Sequence, residues 1–335
     1  MRVLVTGGAG FIGSHFARRL ARAGEQVVVL DKLTYAGRRA NLSDVEHRFC
    51  EGDIADADAV AEAGAGCDAI VNFAAESHVD RSILDGGDFL ATNVTGTTVL
   101  LEQARRQGSR FVQVSTDEVY GDVPPGISSR ESDPLRPSSP YSAAKAAGEL
   151  FVFAYVRTYG VEAVVTRGSN TYGPNQYPEK VLPLFITNAF DGQPLPLYGD
   201  GKQVRDWLHV EDHCAGIELA LRAGTPGEAY NLGGGEEVEN LMITERVLEL
   251  TGAPASLVHP VDDRPGHDRR YSVDSAKAER LGWKRRWRLE TGLPGTVAWY
   301  ADNRAWWEAI KQTDGYRAYY AKQYGQRLAK PAGVD

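Results

Sequence analysis

The stretch Val3–Leu20, VLVTGGAGFIGSHFARRL, decides how this chain folds. An apolar, strand-like run leads into Gly7, Gly10 and Gly13 and then into a helical pattern, so a tight glycine turn joins a strand to a helix. The stretch also carries the G-x-G-x-x-G spacing, which lets a backbone approach a pyrophosphate and aims the first amides of a helix at it. Alone, that spacing is weak evidence. Its weight comes from Asp31, which closes the next apolar run, VVVLD (27–31), where a carboxylate accepts hydrogen bonds from an adenosine ribose. A carboxylate there repels a 2′-phosphate and so favours NAD over NADP; the neighbouring Lys32 weakens that preference.

Working outward, short apolar runs alternate with helical patterns through QVVVLD, DAIVNFA, RFVQVS, YSAAKAAGELFVFAYVRTYG and VEAVVTR. This alternation predicts an α/β fold, a doubly wound parallel sheet of Rossmann type with helices on both faces. RDWLHVEDHCAGIELALRAG followed by EAYNLGGG reads as a further helix and strand returning to that sheet. The remaining segments are richer in proline, tryptophan and tyrosine and alternate less. We therefore expect residues 1–174 plus 205–234 to form the NAD-binding domain, and 175–204 plus 235–330 a smaller, discontinuous α/β substrate-binding domain. The tail RLAKPAGVD (327–335) reads as a frayed end.

The net charge of −8 over 335 residues disfavours nucleic acid as a partner, so an anionic ligand needs a local basic cluster. No apolar run approaches a membrane span, and MRVLVTGG enters a strand without a leader-like region, so a cytoplasmic protein is expected. Cys50, Cys67 and Cys214 are odd in number and lack C-x-x-C spacing; they read as buried small hydrophobes. His209 and His213 stand four apart without a third ligand nearby, so a strand-to-helix junction capped by Asp212 is expected rather than a metal site. The aromatics of WYADNRAWW (299–307) read as core or interface packing.

Within the sheet pattern, GDI (52–54) places Asp53 and Ile54 near an adenine, and NFAAES (72–77) passes Ala74, Ala75 and Ser77 under the cofactor. YSAAK (141–145) puts Tyr141 and Lys145 on one helical face. By spacing alone that is an ordinary surface pair, but downstream of a dinucleotide turn it becomes a candidate proton-transfer pair. Lowering a tyrosine pKa from ~10 to neutrality requires roughly 4 kcal/mol, which the Lys145 ammonium and a cationic nicotinamide are placed to supply. RFVQVSTDEVYG (110–121) runs a strand straight into Thr116, Asp117 and Glu118. Two adjacent carboxylates there are either solvated or chemical, and the carboxyl ends of such strands are where α/β folds bind ligands.

T-G-x-x-G-F-I-G (6–13) and Y-x-x-x-K resemble the extended short-chain dehydrogenase/reductases that act on nucleotide sugars. LTYAG, FAAESHVDRS, STDEVYG, SPYSAAKA, YGPNQYPEK, LYGDGKQVRDWLHVEDH, NLGGG and DRPGHDRRY resemble the dTDP-glucose 4,6-dehydratase family within them, from Met1 to about Trp307. The resemblance implies conversion of dTDP-glucose to dTDP-4-keto-6-deoxyglucose by C4 oxidation, C5/C6 elimination and hydride return to C6, with NAD+ retained. It implies Tyr141 and Lys145 as the oxidation pair, Thr116 on the C4 oxygen, Glu118 as base at C5 and Asp117 as acid at C6, one carboxyl neutral while the other is charged. The cofactor set extends to Phe11, Ile12, Lys32, Leu33, Thr34, Phe73, Thr92, Tyr141, Lys145 and Asn170. Lys180 and Arg205 then suit a diphosphate, and Ser77, Thr116, Asn170, Glu179, Val181, Pro196, Tyr198, Asn240, Arg264 and His267 complete a substrate pocket. A homodimer is also implied. Thr171, Arg38, Gly168 and Asn175 depart from the family pattern but leave the catalytic set intact. The competing readings are a UDP-sugar 4-epimerase or decarboxylase, which needs no acid at C6, and a non-catalytic dinucleotide sensor, which has no use for paired acids beside Tyr141.

Overall fold

The structure is a computed structural model and describes residues 1–329. The chain runs β1 (Arg2–Thr6), α1 (Phe11–Arg22), β2 (Gln26–Asp31), β3 (Arg48–Glu51), α2 (Ala57–Gly64), β4 (Ala69–Asn72), α3 (Val79–Leu84), α4 (Gly87–Leu90), α5 (Thr97–Gln107), β5 (Arg110–Thr116), α6 (Pro140–Tyr159) and β6 (Ala163–Gly168). There follow β7 (Asn170–Tyr172), α7 (Val181–Phe190), β8 (Leu195–Tyr198), β9 (Val204–His209), α8 (Val210–Ala223), β10 (Ala229–Leu232), β11 (Glu237–Glu239), α9 (Asn240–Thr251), β12 (Val258–Val261), α10 (Ala276–Arg280), α11 (Leu289–Asp302), α12 (Arg304–Lys311) and α13 (Asp314–Ala329).

Seven parallel strands form the main sheet in the order β10-β6-β5-β4-β1-β2-β3. Strand alternation divides the apolar side chains between the two faces. Val3 and Val5 pack with Phe16 and Leu20 of α1 and Ile217 of α8, whereas Leu4 packs with Val60 of α2, Leu100 of α5 and Val152 of α6. Each such buried side chain contributes roughly 1.5–3 kcal/mol. The winding reverses between β1 and β4, which opens a crevice at the carboxyl ends of those strands.

The smaller region has its own core, in which Phe185 and Ile186 of α7, Trp207, Val247 of α9, Tyr300 and Trp307 are buried together. The WYADNRAWW aromatics therefore belong to that core or lie against it. Two small sheets serve this region, β11-β9-β7 and β12-β8. The expected domain limits at 174 and 205 differ from this pairing. β7 and β9 bond to each other, and β9 takes β11 on its other edge, so neither joins the main sheet; α8 and β10 return to it. The expected frayed tail also changes, since Arg327–Ala329 complete α13; the rest of it lies outside the described residues. Cys67 and Cys214 are buried, whereas Cys50 is only half-buried on edge strand β3.

One buried ion pair braces the main sheet. Arg167 of β6 donates from Nε and Nη2 to Glu149 Oε2 of α6 at 3.0 and 2.7 Å, and both side chains are almost wholly excluded from solvent. Its Nη1 donates to Tyr120, whose hydroxyl donates to Asn231 Oδ1 of β10 at 2.8 Å. Arg167→Met strands the Glu149 carboxylate in the interior and is expected to cost about 3–5 kcal/mol in urea unfolding. Adding Glu149→Leu should recover much of that loss.

Candidate active site

The crevice is lined from β1 outward by Gly7, Gly10, Phe11, Ile12 and Gly13, from β2 by Asp31, Lys32 and Thr34, and beyond them by Asp53, Ile54, Phe73, Ala74, Ala75, Ser77 and Thr92. These are the expected cofactor residues, with Leu33 as the exception: its side chain packs toward the core below α1 while its backbone, at φ 53°, donates to Asp31 Oδ1. Two glycines are needed for close approach. A Cβ on Gly7 would stand 2.6 Å from the Ala74 nitrogen, and one on Gly13 2.3 Å from the Gly7 carbonyl oxygen. Gly10 caps α1 without a side chain, so no side-chain acceptor occupies the first amides of that helix.

Asp31 is buried and accepts from Ala9 N at 2.9 Å and Leu33 N at 2.8 Å. Burial raises its pKa and those two amides oppose the rise. Lys32, adjacent to the expected ribose site, is engaged elsewhere, donating to Asp53 at 2.7 Å. An uncapped helix start, a glycine cradle and an oriented carboxylate together fit an adenine dinucleotide.

β5 ends at Thr116, and the chain turns at once into a 3₁₀ helix, Asp117–Tyr120. The Thr116 hydroxyl oxygen accepts from Glu118 N at 3.2 Å and its proton is donated toward Asp117 Oδ1 at 3.2 Å. The turn breaks the strand's alternation, so both carboxyl residues line the crevice together with Thr116, Tyr141 and Lys145. Tyr120 anchors the far end of this turn through the Arg167 network described above.

α6 delivers Tyr141 and Lys145 from a fixed start. Ser139 accepts from Ser142 N at 3.1 Å, Ser142 accepts from Ser139 N at 3.1 Å, and Pro140 occupies the first helical position. Lys145 Nζ donates to the Val114 carbonyl at 2.6 Å, and burial pushes its pKa down to about 8. The expected lowering of the Tyr141 pKa is absent in the protein alone. Burial raises it, the charges of Glu118 and Asp117 raise it further, and only the Thr116 hydroxyl opposes them.

The two carboxyls are unequal. Asp117 is 2% exposed, its Oδ2 has no hydrogen-bond partner, and burial, Glu118 and Asp206 push its pKa well above the ordinary range. Burial also raises Glu118, but Arg264, Lys180 and Arg205 all pull it back. The protein thus favours a neutral Asp117 beside a Glu118 that faces cations.

Of the expected substrate residues, Ser77, Thr116, Asn170 and Lys180 line this crevice. Arg205, Arg264, Tyr198 and His267 form an adjoining cluster. Arg264 donates to Asp80 at 2.8 Å, Tyr198 donates to the other Asp80 oxygen at 2.9 Å, and His267 stands edge-on to Tyr198. Asn240 begins α9 with a buried, unpartnered Oδ1; Pro196 lies on β8 and Val181 opens α7. Glu179 is committed to Arg81, which donates to it at 2.9 and 3.0 Å, and does not line the crevice. Gln176, Tyr177, Glu76 and His213 line it without having been named as site residues, although each lies in one of the runs that carry the resemblance, YGPNQYPEK, FAAESHVDRS or LYGDGKQVRDWLHVEDH.

The model of the NAD dependent epimerase/dehydratase family matches residues 3–233. The chain belongs to the NAD dependent epimerase/dehydratase family. Among similar proteins, the dTDP-glucose 4,6-dehydratase of Streptomyces niveus is 53% identical over 326 residues, covering 94% of this chain and 97% of that one. Among solved structures, the dTDP-glucose 4,6-dehydratase DesIV from Streptomyces venezuelae, with NAD bound, superposes with a TM-score of 0.91 at 53% identity, covering 93% of this chain and all of that one. The UDP-glucose 4-epimerase of Thermus thermophilus, in complex with NAD, gives a TM-score of 0.86 at 35% identity, covering 90% of this chain and all of that one. NAD is the cofactor of the family, and the glycine cradle and Asp31 are the groups here that suit it.

Three of the four departures of this family member are locally compensated, while Arg38 keeps a buried Nε without a hydrogen-bond partner. Asn175 sits at φ 65°, a left-handed conformation that asparagine tolerates better than most residues. Gly168 and Thr171 meet on one ring: a Cβ at 168 would come within 2.4 Å of His213, and Thr171 Oγ1 lies 2.8 Å from His213 Nδ1. Because that hydroxyl donates to the Ser169 carbonyl, Nδ1–H is the donor to Thr171 and Nε2 carries the lone pair. Burial pushes the His213 pKa down to about 4, so the ring is neutral. The expected Asp212 cap of α8 is instead His209, whose Nδ1 accepts from Glu211 N; Asp212 accepts from the amides of Arg286 and Trp287. Among the described residues no group of three or more acidic, histidine or cysteine side chains is placed to hold a metal, and no helix is long and apolar enough to cross a membrane.

Proposed function

We propose that this chain is a dTDP-glucose 4,6-dehydratase, a hydro-lyase forming dTDP-4-keto-6-deoxyglucose and water. The observation that carries this reading is the unequal carboxyl pair: a neutral, desolvated Asp117 and a cation-facing Glu118 on one turn, in a crevice shared with Tyr141 and Lys145. An epimerase has no use for a proton donor at C6. The dehydratase relatives at about half identity support the same conclusion.

Tyr141 takes the proton of the C4 hydroxyl while Thr116 hydrogen-bonds the C4 oxygen. Bound NAD+ supplies the oxidant at C4, returns the same reducing equivalents at C6, and sets a positive charge beside Tyr141 that a phenolate needs. Once C4 is a ketone, Glu118 removes the C5 proton and Asp117 protonates the departing C6 hydroxyl; Glu118 then returns its proton to C5. The proton held by Tyr141 balances the one lost by Asp117, so one water leaves per cycle. Lys180, Arg205 and Arg264 bind the diphosphate, and Lys145 supports Tyr141 with its charge below a pH of about 8. The reading includes a cytoplasmic homodimer; exposed Leu90 of α4 and Leu150 of α6, two helices that touch, support the second copy.

Incubation with dTDP-glucose and no added reductant is expected to give a 4-keto-6-deoxy sugar. Failure to do so, with turnover of UDP-galactose instead, sinks the proposal in favour of an epimerase.

A further inference from the structure

α13 follows the last of the motifs that carry the family resemblance, DRPGHDRRY (263–271), and packs onto the nucleotide side of the site. Gln323 of α13 is 7% exposed, and its Nε2 donates to Asp80 Oδ2 at 3.0 Å and to the Tyr198 hydroxyl oxygen at 2.6 Å. That Tyr198 hydroxyl itself donates to Asp80 Oδ2, and Arg264 holds the other carboxylate oxygen. The Arg264 Nε is buried without a partner, a donor in reserve for an anion. A second contact of α13 runs parallel: Tyr319 stands edge-on to His78 and carries the Arg81 guanidinium 4.2 Å from its ring centroid, while Arg81 grips Glu179 next to Lys180. Tyr316 donates to the Pro178 carbonyl at 3.0 Å, pinning the same segment.

We propose that α13 is a positioning element of the nucleotide subsite, in which Gln323 fixes the Asp80 carboxylate and thereby sets Arg264 and Tyr198 for a nucleoside diphosphate. Gln323 touches neither the reacting sugar carbons nor the cofactor cleft, so it is a positioning residue and not a catalytic one. Its physical logic is preorganisation. Asp80 has three donors on two oxygens, and removing the one from α13 frees the carboxylate, with Arg264, to sample other rotamers that must be ordered again on binding. The inference rests on the proposed nucleotide-sugar function, and binding of dTDP alone separates the two.

The test compares wild type, Gln323→Leu and Gln323→Glu, each carrying its NAD, by calorimetric titration with dTDP and by steady-state kinetics. Both variants are expected to bind dTDP about tenfold more weakly, the effect of losing a hydrogen bond to a charged group, and to raise KM more than they lower kcat. Gln323→Glu should be the weaker binder, because it sets a second carboxylate against Asp80. NAD content should stay at the wild-type level, and the melting temperature should fall by only a few degrees, more in Gln323→Glu than in Gln323→Leu. Unchanged dTDP affinity in both variants overturns the proposal, as does a loss of kcat, NAD and melting temperature together with no separate change in affinity. Wild type that binds dTDP but forms no dehydrated product overturns the function and leaves the comparison of affinities standing.

Discussion

Tyr141→Phe is expected to lower kcat on dTDP-glucose by about 10²–10⁴-fold, the range for loss of a general acid–base group, with KM little changed. The ring is buried, edge-on to Phe89 at 6.3 Å, and phenylalanine keeps that packing while removing only the hydroxyl. The size of the effect follows from how unfavourable the phenolate is in the protein alone. Burial, Glu118 and Asp117 all oppose it, and Lys145 is itself desolvated. Because burial brings the Lys145 pKa down to about 8, its charge is full below that pH and lost as pH rises through it. Wild-type turnover should therefore lose its lysine-dependent part on the alkaline side, and Lys145→Met should remove that limb. Wild-type kcat in Tyr141→Phe would falsify the assignment.

What the sequence made legible follows physical range. The glycine turn, Asp31 and the Ser139–Tyr141 helix start are local: each feature and its consequence lie within a few residues, so spacing reveals them. The turn after Thr116 was demanded by chemistry and is made by a side chain two residues from the amide it accepts. What stayed hidden depends on chain-distant partners. Asp80 stands in the first turn of α3, yet the side-chain hydrogen bonds to its carboxylate come from Tyr198, Arg264 and Gln323, which are 118, 184 and 243 residues away. The rise in the Tyr141 pKa was equally unreadable, because burial is a property of the assembled crevice and the spacing to Lys145 says nothing of it. The His209 cap shows a local failure: aspartate is the better capping residue in general, but Asp212 is drawn to the amides of Arg286 and Trp287.

Asp117→Asn is expected to slow formation of the 4-keto-6-deoxy product by about 10²–10³-fold while leaving C4 oxidation, followed by near-ultraviolet absorbance in a single turnover, far less affected. Asparagine matches aspartate in shape and can still face Thr116, but it has no acidic proton to give the C6 hydroxyl. Glu118→Gln separates the two roles. With Glu118 intact, C5 still loses its proton in Asp117→Asn, so solvent deuterium should enter C5 of the recovered sugar; in Glu118→Gln it should not. The pair must be read as a coupled unit, since the charge on Glu118 is one of the causes that keep Asp117 protonated. In Glu118→Gln that repulsion disappears, so Asp117 should ionise at lower pH than in wild type, although burial and Asp206 still hold it high. The acid limb of wild-type activity reports the pair taking up a second proton, and loss of the proton Asp117 must donate adds a separate alkaline decline that Lys145→Met leaves in place. Unchanged product formation in Asp117→Asn, or loss of C5 exchange in both variants alike, removes the division of labour on which the dehydratase mechanism depends.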